Sequence, residues 1–158
     1  MIRVGFGYDV HQLVDNRPFW LGGIEIPHTK GSLGHSDGDA LIHAICDALL
    51  GAANMRDIGF HFPDTSNEFK GIDSKILLKR TIEIIATKGY SIVNIDSTIC
   101  LQKPKVKDLI PKMQEVLASV MGIDEDSVAI KATTTEKLGF VGKEEGVAVY
   151  AVVLISKG

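Results

Sequence analysis

No continuous block of lysine or arginine marks a surface for nucleic acid or anionic membrane. The 17 basic residues stand against 20 acidic ones, for a formal net charge of -3 and a pI near 5.9, so no nucleic-acid or membrane partner is expected. No apolar run approaches the ~20 residues of a membrane-crossing helix. The longest, Val147 to Ile155, reads as a buried strand. Strand-like alternation starts at Ile2, leaving no place for a charged segment followed by an apolar export signal. Only two cysteines occur, Cys46 and Cys100, outside any ligand-spacing motif, and both read as buried thiols of a reducing, cytoplasmic compartment. A Ser-His-Asp triad, a nucleophilic-cysteine signature, repeats, low-complexity tracts and linkers are also missing. Residues 1–158 are therefore expected to form one domain, and 45% hydrophobic with 23% charged residues is enough for a sizeable core.

The most chemically loaded stretch is Leu33-Gly34-His35-Ser36-Asp37-Gly38-Asp39, which runs into a helical pattern from about Asp39 to Asn54. Small and polar residues at a helix start suit an anion, because the first backbone N–H groups are unpaired and the dipole is positive there. The loop reads as a phosphate seat, with Ser36 or Asp37 as the cap; a plain capping turn fits it equally well. His43 lies one turn into the helix, with Asp39 and Asp47 four residues to either side to orient its ring. Upstream, Ile2, Val4, Phe6, Tyr8 and Val10 alternate with Arg3, Gly5, Gly7, Asp9 and His11, so Asp9 and His11 share one strand face beside glycines that leave it open. Asp9, His11 and His43 together make an open zinc pattern of two imidazoles and a carboxylate. A lone Asp-x-His pair is more often an ordinary hydrogen-bonded pair.

A peripheral hairpin is expected about Gly22-Gly23 and a loop over 28–34. A long loop follows at 57–71, then a helix capped by Asp73, a strand from Tyr90 to Gln102 and the basic loop 103–107. A third helix from about Asp108 to Met121, a strand from Val128 to Ala132, the threonine run 133–135 and a last strand, Val147 to Ser156, complete the chain. This irregular alternation predicts an α+β fold, a mixed sheet with helices against it. The last strand is apolar on both faces, so if helices cover one, another subunit must cover the other.

The motifs GYDVH (7–11), HSDGDALIHAICDALLGAA (35–53), DIG (57–59), FPDT (62–65) and KATTTEKLGF (131–140) resemble those of the 2-C-methyl-D-erythritol 2,4-cyclodiphosphate synthase family over essentially the whole chain. The resemblance implies a two-layer α/β sandwich with helices on one face, packed through its sheets into a homotrimer with active sites between subunits. It implies zinc on Asp9, His11 and His43, and a second divalent ion, magnesium or manganese, on Glu136. His35 and Thr134 would be catalytic. Ser36, Asp57, Gly59, Phe62, Pro63, Asp64 and Thr65 would meet the sugar-alcohol and phosphate end of the substrate. Leu101, Pro104, Lys105, Val106, Lys107, Thr133, Thr135, Phe140 and Lys143 would hold the cytidine and its phosphates. Lys143 stands where many members carry arginine, and Lys103 where relatives have a small residue. The implied reaction cyclises 4-diphosphocytidyl-2-C-methyl-D-erythritol 2-phosphate with release of CMP, in non-mevalonate isoprenoid precursor biosynthesis. The alternatives are a zinc-dependent phosphohydrolase and a non-catalytic cytidine-nucleotide-binding trimer.

Overall fold

Alternation from Ile2 onward produces β1 (Ile2–Asp15), the spine of the computed structural model, which describes residues 1–158. β7 (Gly146–Ser156) pairs antiparallel with it, Ile2 opposite Ser156 and Gln12 opposite Gly146. β5 (Ser91–Cys100) lies antiparallel on the far side of β7, and β6 (Val128–Thr133) runs parallel to β5. β4 (Lys30–Ser32) forms within the expected 28–34 loop and completes the mixed sheet in the order β4-β1-β7-β5-β6. A parallel neighbour needs a crossover, and the helix α4 (Ile110–Met121), with Pro111 in its first turn, supplies it between β5 and β6.

The face of β1 that carries Gly5 and Gly7 is closed by the helix α1 (Ala40–Ala52), not left open. A Cβ on Gly5 would stand 2.0 Å from the Ala48 carbonyl oxygen, and one on Gly7 2.0 Å from that of Ala44. Ala40, Ala44, Ala48 and Ala52 recur every four residues, so small side chains on both elements let the two backbones approach. Beside them Leu41, Ile45 and Leu49 join Leu78 and Ile85 of α3 (Ser74–Ala86) and Met113 and Leu117 of α4 in one core over Ile95, Ile99, Val149 and Val153. Each such side chain contributes about 1.5–3 kcal/mol by leaving water.

Most of the opposite face has no cover within the chain. Ile2, Val4, Phe6, Tyr8 and Val10 point outward with Tyr150 and Val152 of β7, Val4 at 68% and Phe6 at 61% exposed. Phe6 and Tyr8 flank Tyr150, with ring centroids 6.2 and 5.0 Å from it.

Two local expectations need correction. Asp39 caps α1, in place of Ser36 or Asp37: its Oδ1 accepts the N–H of Ile42 at 3.1 Å. The same carboxylate accepts the N–H groups of Gly22 and Gly23 at 2.9 and 2.7 Å, so it ties down the hairpin of β2 (Phe19–Leu21) and β3 (Ile24–Ile26). That turn needs left-handed backbone at both glycines, φ +64° and +79°. The hairpin is thus part of the core, with Phe19 and Leu21 fully buried. Burial and the nearby Asp37 charge push the Asp39 carboxyl up, against the three N–H bonds that favour its ionised form. Within the long 57–71 loop, residues Ile58–His61 form α2 and Asn67–Phe69 a 3₁₀ turn.

Candidate active site

Strand β1 projects Asp9 and His11 from one face, and α1 brings His43 against them one turn after its cap. Asp9 Oδ2 lies 2.8 Å from His11 Nδ1 and 3.4 Å from His43 Nδ1. One ligand atom from each residue falls within 4.8 Å of the other two. Asp9 Oδ2 and His11 Nδ1 are buried and neither makes a well-angled hydrogen bond. Orphaned buried polar atoms are costly, and lone pairs converging on one point are satisfied by a cation. Two nitrogens and a carboxylate oxygen, with a fourth direction open, are the donor set of a zinc ion that takes a substrate oxygen, so the residues fit the implied metal. Burial alone raises the Asp9 carboxyl, but its close contacts with the His11 and His43 rings, and their charge, outweigh it and hold Asp9 below its ordinary value. Burial alone lowers His43, but bonding to and charge on Asp9 win and raise it.

Asp39 and Asp47 do not orient His43. Asp39 is spent on the cap, and Asp47 Oδ1 accepts the N–H of Ile58 at 3.2 Å. His43 Nε2 instead lies 3.1 Å from Ser36 Oγ and 2.9 Å from Ser74 Oγ.

The three residues lie at one side of a cleft of about 600 Å³. His35 and Ser36 line it, as do Gly59, Phe62, Pro63, Asp64 and Thr65. The start of α1 is occupied by the chain's own Asp39 side chain, and the loop side chains that line the cleft there are those of His35 and Ser36. Arg17 fixes this loop, its Nη2 donating to Gly34 O at 3.0 Å and its Nε to Ser32 O at 2.6 Å. His35 Nε2 lies 2.8 Å from Ser66 O. A carbonyl only accepts, so that nitrogen carries the hydrogen and Nδ1 remains available.

A separate cavity of about 220 Å³ collects Leu101, Pro104, Lys105, Val106, Lys107, Thr133 and Thr134 where β5 and β6 end. Thr135 and Phe140 line a smaller hollow beside Tyr8 and Tyr150, next to α5 (Gly139–Gly142). Glu136, Lys143 and Asp57 are exposed and line none of these three cavities. Within one chain the structure therefore gathers the metal and sugar-end residues in one place and most of the cytidine-side residues in another, and brings neither Thr134 nor Glu136 to the three ligands. Two residues that the sequence does not single out touch this region: Ser74, which follows Asp73, the obvious cap, meets His43, and Arg17, in a loop without a motif, holds Gly34.

The chain matches the family profile described as the YgbB family over residues 2–156. A Bacteroides fragilis protein named 2-C-methyl-D-erythritol 2,4-cyclodiphosphate synthase is 70% identical over 156 residues, 99% of this chain and 98% of its own. Among solved structures, the bifunctional IspDF of Campylobacter jejuni superposes with a TM-score of 0.96 at 44% identity; it covers 100% of this chain, which spans 43% of that longer one. A 2C-methyl-D-erythritol-2,4-cyclodiphosphate synthase solved with CDP bound gives a TM-score of 0.90 at 34% identity, covering 98% of this chain and 100% of its own.

Proposed function

The chain belongs to the YgbB family, whose curated relatives are 2-C-methyl-D-erythritol 2,4-cyclodiphosphate synthases, and from that premise we propose which reaction it catalyses and which residues act. The reaction is cyclisation of 4-diphosphocytidyl-2-C-methyl-D-erythritol 2-phosphate by residues 1–158 as one cytoplasmic catalytic domain, a phosphorus–oxygen lyase. The observation that carries the reading is the pair of orphaned buried atoms, Asp9 Oδ2 and His11 Nδ1, beside His43 in a cleft lined by His35 and Ser36.

An oxygen of the substrate's 2-phosphate bonds to the β-phosphorus, the bond from that phosphorus to the bridging oxygen breaks, and CMP leaves with the electron pair. The nucleophile is already ionised at neutral pH, so no residue has to remove a proton; the barrier is bringing two anions into line. When bound, zinc on Asp9, His11 and His43 and magnesium or manganese on Glu136 would neutralise that repulsion. Ser36 and His35 hold the phosphates at the cleft, and Gly59, Phe62, Pro63, Asp64 and Thr65 enclose the sugar alcohol, with Asp57 at its edge. Thr134 donates its hydroxyl to the oxygens that gain charge in the transition state. Lys105, Lys107 and Lys143 offer point charges to the cytidine phosphates, and Leu101, Pro104, Val106, Thr133, Thr135 and Phe140 hold the base and ribose. A homotrimer packed through the bare sheet faces, each site shared by two subunits, is supported by the uncovered apolar face of β1 and β7 and by the split of the site residues between separate cavities.

Incubation with the diphosphocytidyl substrate, zinc and magnesium should yield CMP and a cyclic diphosphate by phosphorus NMR, and His43→Ala should abolish both zinc binding and product. Activity undiminished in His43→Ala would refute the ligand assignment. Oxygen from heavy-oxygen water in the product would mean that water attacks, as in a phosphohydrolase.

A further inference from the structure

We propose that Asp37 and Ser74 form a relay that fixes which nitrogen of His43 faces the metal, making Ser74 a positioning residue for that imidazole. The inference rests on reading Asp9, His11 and His43 as metal ligands, and it adds two residues that the proposed reaction does not use.

The argument runs from hydrogen-bond directions. Ser74 Oγ lies 2.5 Å from Asp37 Oδ1, and a carboxylate only accepts, so the single serine proton is committed to Asp37. Towards His43 the serine oxygen can then only accept. His43 Nε2, 2.9 Å away, must carry a hydrogen, and Nδ1 keeps its lone pair on the side where Asp9 Oδ2 stands at 3.4 Å. Ser36 Oγ, at 3.1 Å from the same Nε2, takes the N–H of Gly38 at 3.3 Å and is free to accept as well. Ser74 is fully buried, so water does not compete for its hydroxyl.

The carboxylate that sets this direction is itself held. Its second oxygen accepts the N–H of Ser74 at 2.9 Å, and the Asp37 N–H donates to Ile72 O at 3.1 Å. The first residue of α3 and the loop before α1 are thereby joined twice, once through main-chain atoms and once through the serine hydroxyl. Only the hydroxyl reaches His43. Ser74→Ala keeps the main-chain anchor and removes the relay, separating positioning from simple support.

The test is a zinc titration of the metal-free protein against a chromogenic chelator. Ser74→Ala should bind zinc roughly 10–100-fold more weakly than wild type, the usual effect of losing a partner behind a ligand. Its cobalt(II) absorption should change in shape, while the metal-free unfolding temperature stays close to wild type. Ser97→Ala removes a buried hydroxyl on β5 that donates to Ala129 O of β6 and should leave zinc affinity unchanged; Ser74→Thr, which restores a hydroxyl, should recover it. Wild-type affinity in Ser74→Ala would overturn the relay. Should that variant not fold, Asp37→Ala, which takes away the acceptor of the serine proton, carries the test, and unchanged affinity there is equally fatal. Failure of the wild-type protein to bind zinc would instead overturn the ligand reading beneath it, and with it the relay.

Discussion

At His43 a proton and a metal ion compete for one lone pair, which gives the metal-free and zinc-loaded protein opposite responses to pH. In the metal-free protein Asp9 raises His43 above its ordinary value. That contribution to stability is fully present below the unfolded value near 6.5 and is lost as pH rises through the raised folded value. Asp9, held low by the two imidazoles, contributes above its unfolded value and loses that contribution only as pH falls through its lowered folded one. Zinc needs the unprotonated ring, so its affinity grows over the range in which the metal-free protein loses the His43 contribution. Thermal unfolding midpoints taken with and without saturating zinc over roughly pH 5 to 8 should diverge as pH rises. A gap that stays constant across that range would mean that His43 does not give up a proton to the metal.

Whether the site assembles is decided by how closely α1 lies on β1, because His43 is on one and Asp9 and His11 are on the other. Gly7→Ala puts a methyl 2.0 Å from the carbonyl oxygen of Ala44, the residue after His43. The helix must shift outward, at a cost of about 1–3 kcal/mol or more. It takes the imidazole with it, so zinc affinity should collapse even where denaturant titration still finds a folded protein. Gly51→Ala on the same helix meets nothing within 4 Å and should leave both measurements near wild type; equal zinc affinity in the two variants would contradict this account. The sequence made the strand face legible, since a period of two needs only local residues, and it placed Asp9 beside His11 for that reason. It could not say that the glycines admit a helix, because alternation defines a face and not its partner. The cap was missed for a similar reason. Ser36, Asp37 and Asp39 are all competent acceptors, and two N–H groups from a distant hairpin turn decide among them. Four-residue spacing suggested Asp39 and Asp47 as partners of His43, whereas the serine that meets its ring arrives from α3, 31 residues further on.

On the scale of the whole molecule, the outward row Ile2, Val4, Phe6, Tyr8, Val10, Tyr150 and Val152 is the feature that one chain leaves unsolved. Contiguous apolar surface of this kind is what interfaces between subunits are built from, and the doubly apolar last strand pointed to a face that one chain leaves bare, though neither the geometry of a partner nor the number of subunits can be read from periodicity. The proposed trimer has a consequence that separates metal binding from catalysis. Asp9, His11 and His43 all come from one chain, whereas the residues at the ends of β5 and β6 line another cavity and would reach the metal only from a neighbouring subunit. Phe6 points away from α1, so Phe6→Asp disturbs the interface and not the strand–helix contact behind it. A carboxylate buried in an apolar interface costs several kcal/mol unless it is paired or neutralised, so sedimentation velocity should find monomer in place of trimer. That monomer should still titrate with zinc at one ion per chain, yet release no CMP from the diphosphocytidyl substrate. A Phe6→Asp monomer with wild-type turnover would show that one chain holds the entire site, and the division of labour between subunits would have to be abandoned.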